Sequence, residues 1–416
     1  MRPIRHGTRR RPTAVAAAAL TTGLVTSLSA CAGWGAVGQG GGEDAINVLM
    51  VNNPQMVDLQ QLTAANFTAQ TGIRVNFTVL PENDVRDKIS QEFTSQAGQY
   101  DVASLSNFEI PIYAKAKWIS PLDGFIAKDA AFDQADILEP MQVSLSSEGK
   151  VYGEPFYGES SFLMYRKDIL AAKGLTMPDN PTWPQVADIA AKVDAAEFKQ
   201  ATNFYVNLVR NYGENGAPQA GFTECLNNLT QGNAAMWYDA TSAAGSLEAK
   251  DSPVRGKIGY AAAPVVKTKS SGWLYAWSWS IQAASTKQEN AWKFISWASG
   301  KDYEQLVGEK LGWSRVPAGK RSSTYDNADY LKEAGAFAAP TKAAIESADP
   351  ANPGVQPRPA LGIQFVDIPE FPDLGTQVSQ DVSSAIAGRT TVDEALDKGQ
   401  GLAEDVAERY QSREEQ

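Results

Sequence analysis

Histidine and cysteine are almost absent from this chain of 416 residues. The one histidine, His6, lies among arginines near the N-terminus, and the two cysteines are Cys31 and Cys225. If the first 30 residues are removed by processing, the remainder cannot use Ser-His-Asp or Cys-His catalysis or bind zinc through histidine. Two cysteines cannot build a thiolate metal site. The chemistry that remains is carboxylate catalysis, oxygen-ligated metals such as calcium, and binding without reaction.

Positive charge is also scarce, since 37 Lys and Arg stand against 48 Asp and Glu and the net charge is −11. A body this acidic repels phosphate backbones, which excludes nucleic acid as an expected partner. The sequence contains no Asp-x-Asp-x-Asp-Gly calcium loop. The charged pattern of 393–416 predicts a solvated surface helix. Because the sequence has neither a calcium loop nor a set of histidine or cysteine ligands, we expect no cofactor and no bound metal.

The N-terminus has the pattern of an export signal. Five arginines precede an Ala-, Val- and Leu-rich stretch, 14–28, that is short for a bilayer span. The stretch ends in Leu28-Ser29-Ala30-Cys31, the spacing of a lipoprotein signal in which the cysteine thiol takes a lipid. We expect a signal peptide over 1–30, a lipid anchor at Cys31 and a Gly-rich tether over 31–44. A plain secretory peptide is the alternative, and Arg9-Arg10 leaves export by the general or the twin-arginine route open.

Strand and helix patterns alternate after the tether. The apolar runs 46–51, 73–79 and 100–105 predict strands, and 57–71 and 84–97 predict helices between them. This order predicts a parallel α/β sheet, whose ligands collect at the carboxyl ends of the strands. Polar side chains follow those ends at Asn52, Asn53, Glu82, Asn83 and Glu109. Each of them is equally typical of a turn or a helix cap.

Tryptophan is concentrated in one region, with seven of the ten residues between positions 237 and 313. Trp277 lies in a predicted strand, Trp237 is close to Asp239, and Trp313 is close to Arg315. Indole faces beside carboxylates and amides suit a sugar or polyol, whose C–H faces pack on the ring while its hydroxyls form hydrogen bonds. Core packing is the alternative for each aromatic residue.

Several longer motifs resemble extracellular solute-binding proteins of carbohydrate ABC importers. The lipoprotein signal, Gly98-Gln99-Tyr100-Asp101-Val102 and Trp118-Ile119-Ser120-Pro121-Leu122-Asp123 carry the general likeness. Four further motifs resemble the sorbitol- and mannitol-binding branch of these proteins. They are Pro155-Phe156-Tyr157-Gly158-Glu159-Ser160-Ser161, Met236-Trp237-Tyr238-Asp239, Ala276-Trp277-Ser278-Trp279 and Gly362-Ile363-Gln364-Phe365. The likeness extends over nearly the whole body.

The resemblance implies an α/β fold of the periplasmic-binding-protein class, maltose-binding-protein type, with two lobes, a hinge and a cleft between the lobes. We expect the first lobe to comprise 45–155 and about 300–350, and the second to comprise 156–299 and 351–416. Relatives usually carry a few dozen further residues after the helix predicted at 183–193. Here Asp194-Ala195-Ala196 leads directly to Glu197, so part of the second lobe is missing.

The resemblance implies a monomeric receptor that captures a polyol or sugar and delivers it to ABC permease subunits, without being an enzyme. It would be held by lipidated Cys31 on the extracellular face of the cell membrane. The expected ligand-binding residues are Asn52, Asn53, Glu82, Asn83, Glu109, Tyr157, Glu159, Trp237, Asp239, Trp277, Trp313 and Arg315. The alternative is a secreted glycoside hydrolase with paired carboxylates, although no local motif supplies such a pair.

Overall fold

The computed structural model describes residues 44–182, 185–186, 197–214, 216–266, 268–350, 352 and 370–414. The predicted signal peptide 1–30, Cys31 and nearly all of the predicted tether 31–44 therefore lie outside the described residues. The strands in the described part are β1 Ala45–Val51, β2 Arg74–Leu80, β3 Val102–Ser106, β4 Ser146–Ser147, β5 Lys150–Val151, β6 Glu154–Glu159, β7 Ser161–Arg166, β8 Met236–Ala240, β9 Ile258–Ala262 and β10 Tyr275–Ile281.

The helices divide between short connectors and longer packing elements. They are α1 Pro54–Thr63, α2 Ala69–Thr71, α3 Glu82–Ser95, α4 Glu109–Lys115, α5 Asp123–Ile126, α6 Glu139–Ser144, α7 Lys167–Ala172, α8 Glu197–Tyr212, α9 Phe222–Gln231, α10 Ala243–Leu247, α11 Gln288–Ala298, α12 Lys301–Leu311, α13 Ala328–Ala334, α14 Ala338–Glu346, α15 Phe371–Ile386 and α16 Val392–Glu414. Within the described ranges, no helix is both long and apolar enough to cross a bilayer.

The first sheet has the strand order β2-β1-β3-β10-β6. β1 pairs in parallel with β2 and β3, as the alternating strand and helix patterns predict. β10 then returns antiparallel between β3 and β6, and α11 packs on it. The predicted division counted 275–299 with the second lobe, whereas hydrogen bonding places β10 in the first sheet. A strand's apolar pattern does not specify which neighbour it pairs with, so this return was missed.

The second sheet has the order β8-β7-β9, with β7 antiparallel to both neighbours. α14, which the predicted division counted with the first lobe, packs on β7 and β9 and also on β6 of the first sheet. The helices α8, α15 and α16 pack on one another around a separate small core that includes Val206, Ile386 and Val392. Of the helix predicted at 183–193, only Gln185 and Val186 are described.

Two helices next to β1 and β2 depart from their predicted bounds. The helix predicted over 57–71 begins at Pro54 and contains a π-helical turn at Ala64–Thr68. α3 begins at Glu82 rather than at residue 84, directly after Pro81, which takes the N-cap position. Because these helices begin immediately after their strands, their first turns lie at the carboxyl edge of the sheet, where ligands collect.

Candidate functional site

A cavity of about 190 Å³ is lined by residues from both sheets. This volume is below the roughly 300–1,000 Å³ of pockets for drug-sized ligands, so it suits a small solute. Its described lining residues are Asn53, Pro54, Gln55, Glu82, Tyr157, Glu159, Phe222, Asp239, Ala240, Ser242, Trp273, Tyr275 and Trp277. Six of the twelve predicted binding residues are among them.

Strand geometry brings the polar and aromatic walls together. Asn53 and Glu82 follow the parallel strands β1 and β2, whose carboxyl ends lie side by side. On the antiparallel pair β6 and β10, Tyr275 lies opposite Glu159, and Trp277 lies opposite Tyr157. Residues two apart on a strand share a face, so each strand presents two side chains to the cavity.

The polar part of the cavity is hydrogen-bonded, and its described lining residues include no Lys or Arg. The Asn53 Nδ2 donates to the Tyr157 hydroxyl at 2.8 Å, and burial raises the pKa of Tyr157 well above its usual range. Burial also raises the pKa of Glu159 to about 8, and the negative charges of Asp239 and Glu82 act in the same direction. A hydrogen bond from Ser242 opposes this shift only in part.

Asp239 is the carboxylate that the second sheet contributes. Burial raises the pKa of Asp239 above its ordinary value, although two hydrogen bonds favour its charged form. These come from the backbone N–H of Ala240 at 2.7 Å and the indole Nε1 of Trp237 at 3.1 Å. Trp237 thus holds Asp239 by a hydrogen bond without being among the described lining residues of the cavity. Its own ring packs on Phe222, with the ring centroids 5.4 Å apart.

Aromatic side chains line the cavity beside Tyr157 and Glu159. The ring centroids of Tyr275 lie 6.3 Å from Trp273 and 5.7 Å from Trp277, both in edge-to-face geometry. Trp277 is 3% exposed, so its ring is fixed by its surroundings. Carboxyl and amide groups beside indole rings can hold the hydroxyls of a polyol, while the rings exclude water from its carbon chain.

Three other predicted residues are engaged away from the cavity. Glu109 accepts hydrogen bonds from the Ser106 N–H and Oγ at 2.7 and 2.9 Å. Arg315 forms a bidentate pair with Asp58, at 2.7 and 3.0 Å, beside a neighbouring space of about 40 Å³. The Trp313 ring covers Gly308, where a Cβ would approach it to 2.5 Å.

The last two predicted residues do not line the described cavity either. Asn52 is exposed, and its backbone N–H donates to the carbonyl of Leu80. The side chain of Asn83 lies outside the described part of the structure. The structure thus groups Asn53, Glu82 and four residues from β6, β8 and β10, while the remaining predicted residues lie elsewhere.

Sequence reasoning missed several lining residues. Gln55 and Ser242 follow the ends of β1 and β8 by a few residues, the same signal that selected Asn53. Tyr275 precedes Trp277 by two residues, so strand alternation alone places both on one face. Trp273 also lines the cavity, although it precedes β10 by two residues.

The sequence profile of the bacterial extracellular solute-binding proteins matches residues 53–305. This chain belongs to that family. Members of the family are extracellular binding proteins rather than enzymes. The chain is 33% identical over 403 aligned residues to the mannitol-binding protein of Pseudomonas aeruginosa, with 85% of this chain and 91% of that protein covered.

Solved structures of solute-binding proteins are similar along most of the chain. An ABC transporter solute-binding protein of Agrobacterium vitis S4 with bound D-mannitol is 39% identical, with a TM-score of 0.81, over 88% of this chain and 99% of that one. Maltose-bound T. maritima MalE3, 16% identical, has the same fold with a TM-score of 0.70, over 86% and 99% of the two chains. The predicted fold class is confirmed. The alternative prediction, a glycoside hydrolase, gains no support from these likenesses.

Proposed function

We propose that this chain is the solute-binding component of an ABC importer and captures a short acyclic polyol, such as mannitol or sorbitol, or a small sugar. The observation that carries the proposal is the 190 Å³ cavity, which carboxyl and amide groups and indole rings line together. The likeness of the chain to a solute-binding protein with bound D-mannitol supports a polyol as the class of ligand. The chain would bind its ligand without chemical reaction and without a cofactor.

Polyol hydroxyls both donate and accept hydrogen bonds, and the polar wall matches this. Asp239 offers carboxylate oxygens, and Asn53 with Tyr157 offers an amide and a hydroxyl. At neutral pH, Glu159 retains its proton because its pKa is about 8, so its carboxyl group both donates and accepts. Trp277 would cover the carbon chain.

Closure would follow from the origin of these residues in two sheets. We propose a first lobe built on β2-β1-β3-β10-β6 and a second built on β8-β7-β9. Glu159 and Trp277 belong to the first and Asp239 to the second. A ligand touching both walls favours the conformation in which they are close, and this would be the form delivered to the permease.

The location proposed for the mature protein is the extracellular face of the cell membrane, where it would act as a monomer. The sequence Leu28-Ser29-Ala30-Cys31 supports lipidation at Cys31. Globomycin treatment and Cys31→Ala should each block processing and change membrane retention. An unaltered mature size together with unaltered membrane retention would contradict the lipid anchor.

A shortened second lobe is also part of the proposal. The alignment with the Pseudomonas aeruginosa protein has 403 positions, but 85% of this chain is about 354 residues. About 50 aligned positions thus have no residue in this chain, in keeping with a missing segment, which we propose to lie near 194–197. Thermal unfolding of the mature protein with and without mannitol would test whether the shortened lobe still binds.

Calorimetry of the mature protein against mannitol, sorbitol, arabitol, maltose and glucose tests the polyol class. We expect saturable 1:1 heats with at least one hexitol, and affinity at least tenfold weaker in Trp277→Ala. Asp84→Asn is the matched control, because Asp84 is exposed on the same helix as Glu82 but does not line the cavity. Absence of heat with every polyol would refute the polyol assignment, and turnover of a disaccharide would refute pure binding.

A further inference from the structure

A second, larger space adjoins the ligand cavity. It measures about 1550 Å³ and is lined mainly by α3, α4 and α15. Tyr275 lines both this groove and the 190 Å³ cavity. Trp273 and Trp277, in contrast, are among the described lining residues of the cavity alone. The Tyr275 side chain therefore stands between the small cavity and the larger groove.

Arg86 holds that side chain. Its guanidinium donates a hydrogen bond to the Tyr275 hydroxyl and stacks over the ring of Trp277, 5.0 Å from the centroid. Arg86 lines the groove, and it is not among the described residues of the cavity wall. It therefore holds the Tyr275 hydroxyl at the junction between the groove and the cavity residues Glu82 and Trp277.

Two carboxylates fix Arg86 in turn. Glu82, one helical turn earlier on α3, is 2.8 Å from the guanidinium, and Glu109 on α4 is 3.1 Å away. Ser106 at the end of β3 fixes Glu109 through two hydrogen bonds and also accepts one from Arg86 at 3.3 Å. A guanidinium paired with two carboxylates and a hydroxyl has little freedom, so the phenol ring that it holds is pre-organised.

We propose that Tyr275, positioned by Arg86, is a partition that limits the length of the ligand. A free hexitol would lie on the cavity side, whereas a polyol extended toward the groove by a hexose ring, such as maltitol, would meet the Tyr275 ring. Tyr275 is thus a specificity-determining residue and Arg86 a positioning residue. This inference rests on the proposed binding of polyols.

The test compares sorbitol with maltitol, which is sorbitol carrying one glucose, by calorimetry. The unsubstituted chain should bind sorbitol and reject maltitol. Tyr275→Ala opens the partition and should raise maltitol affinity at least about tenfold, while Tyr275→Phe keeps the ring and should still reject maltitol. Trp273→Ala is the matched control, because it enlarges the cavity without opening the groove.

A second variant tests positioning without removing the ring. Arg86→Gln releases the phenol, so it should raise maltitol affinity, with a smaller gain in Arg86→Lys, which retains a charge for Glu82 and Glu109. If Tyr275→Ala rejects maltitol but still binds sorbitol, the partition is overturned and the proposed function is not. The same holds if Trp273→Ala gains as much maltitol affinity as Tyr275→Ala. Failure of the unsubstituted chain to bind any polyol or sugar would overturn the proposed function, and the partition with it.

Discussion

Glu159 makes the stability of this protein depend on pH in a calculable way. The side chain is 6% exposed, and its pKa is raised to about 8 chiefly by burial, with smaller contributions from the charges of Asp239 and Glu82. The folded protein therefore keeps the proton to about pH 8, whereas the unfolded chain releases it near pH 4.5. Between these values the folded state binds more protons, so the free energy of unfolding falls as pH rises.

One retained proton corresponds to about 1.4 kcal/mol per pH unit. From pH 4.5 to pH 7 the Glu159 contribution therefore lowers the free energy of unfolding by about 3 kcal/mol. Glu159→Gln keeps the shape and removes the ionisation. Its stability relative to the unsubstituted protein should rise steadily from pH 5 to pH 8. The gain should level off above pH 8, where Glu159 is ionised in both states.

Urea denaturation at pH 5, 6, 7 and 8, followed by tryptophan fluorescence, measures this slope. Glu154 provides the comparison, since it is fully buried outside the cavity and burial raises its pKa to about 8 as well. Glu154→Gln should flatten the slope similarly. Each variant differs from the unsubstituted protein in the pH slope of its free energy of unfolding. Saturating mannitol should change this difference for Glu159→Gln and leave it unchanged for Glu154→Gln. Equal slopes for Glu159→Gln and the unsubstituted protein would refute the reasoning.

Two further predictions concern the stability of the fold outside the described cavity lining. Gly158→Ala should lower the free energy of unfolding by at least about 3 kcal/mol, because the new Cβ would lie 2.1 Å from the Gly319 carbonyl oxygen. Gly124→Ala, with open space around its Cβ, should be nearly neutral, and equal melting temperatures for the two variants would contradict this. Arg315→Gln leaves the carboxylate of Asp58, which is 4% exposed, unpaired, and should cost about 2 kcal/mol in urea unfolding. Arg315→Lys should cost less, and an equal loss would argue against the charge.

The parallel part of the first sheet was predictable because its signals are local. Apolar runs over β1, β2 and β3 alternate with helix patterns, and parallel strands place their carboxyl ends at one edge. That rule correctly brings Asn53 and Glu82 to one cavity. The return of β10 was not predictable, because its pairing with β3 and β6 depends on contacts between distant parts of the chain.

The aromatic residues show the same limit. Trp237, Trp277 and Trp313 all stand near polar side chains in the sequence, yet Trp277 alone of these lines the described cavity. Trp237 supports Asp239 from behind, and Trp313 covers Gly308. A tryptophan that faces a ligand and one that fills a core bury similar areas, so residue type and neighbours do not separate them. The pairing of strands in the folded protein is what separates the two kinds of tryptophan.

The position of β10 decides how a ligand would close the cleft. In the proposed complex, Trp277 and Tyr275 on β10 belong to the same sheet as Glu159 on β6, so the first sheet alone carries the aromatic wall and most hydrogen-bonding groups. A polyol would dock there first. The second sheet adds Asp239 and its neighbours, and only these contacts can draw the two sheets together. Loss of Trp277 should therefore slow capture of the ligand as well as weaken it, whereas Asp239→Asn should act mainly by speeding release.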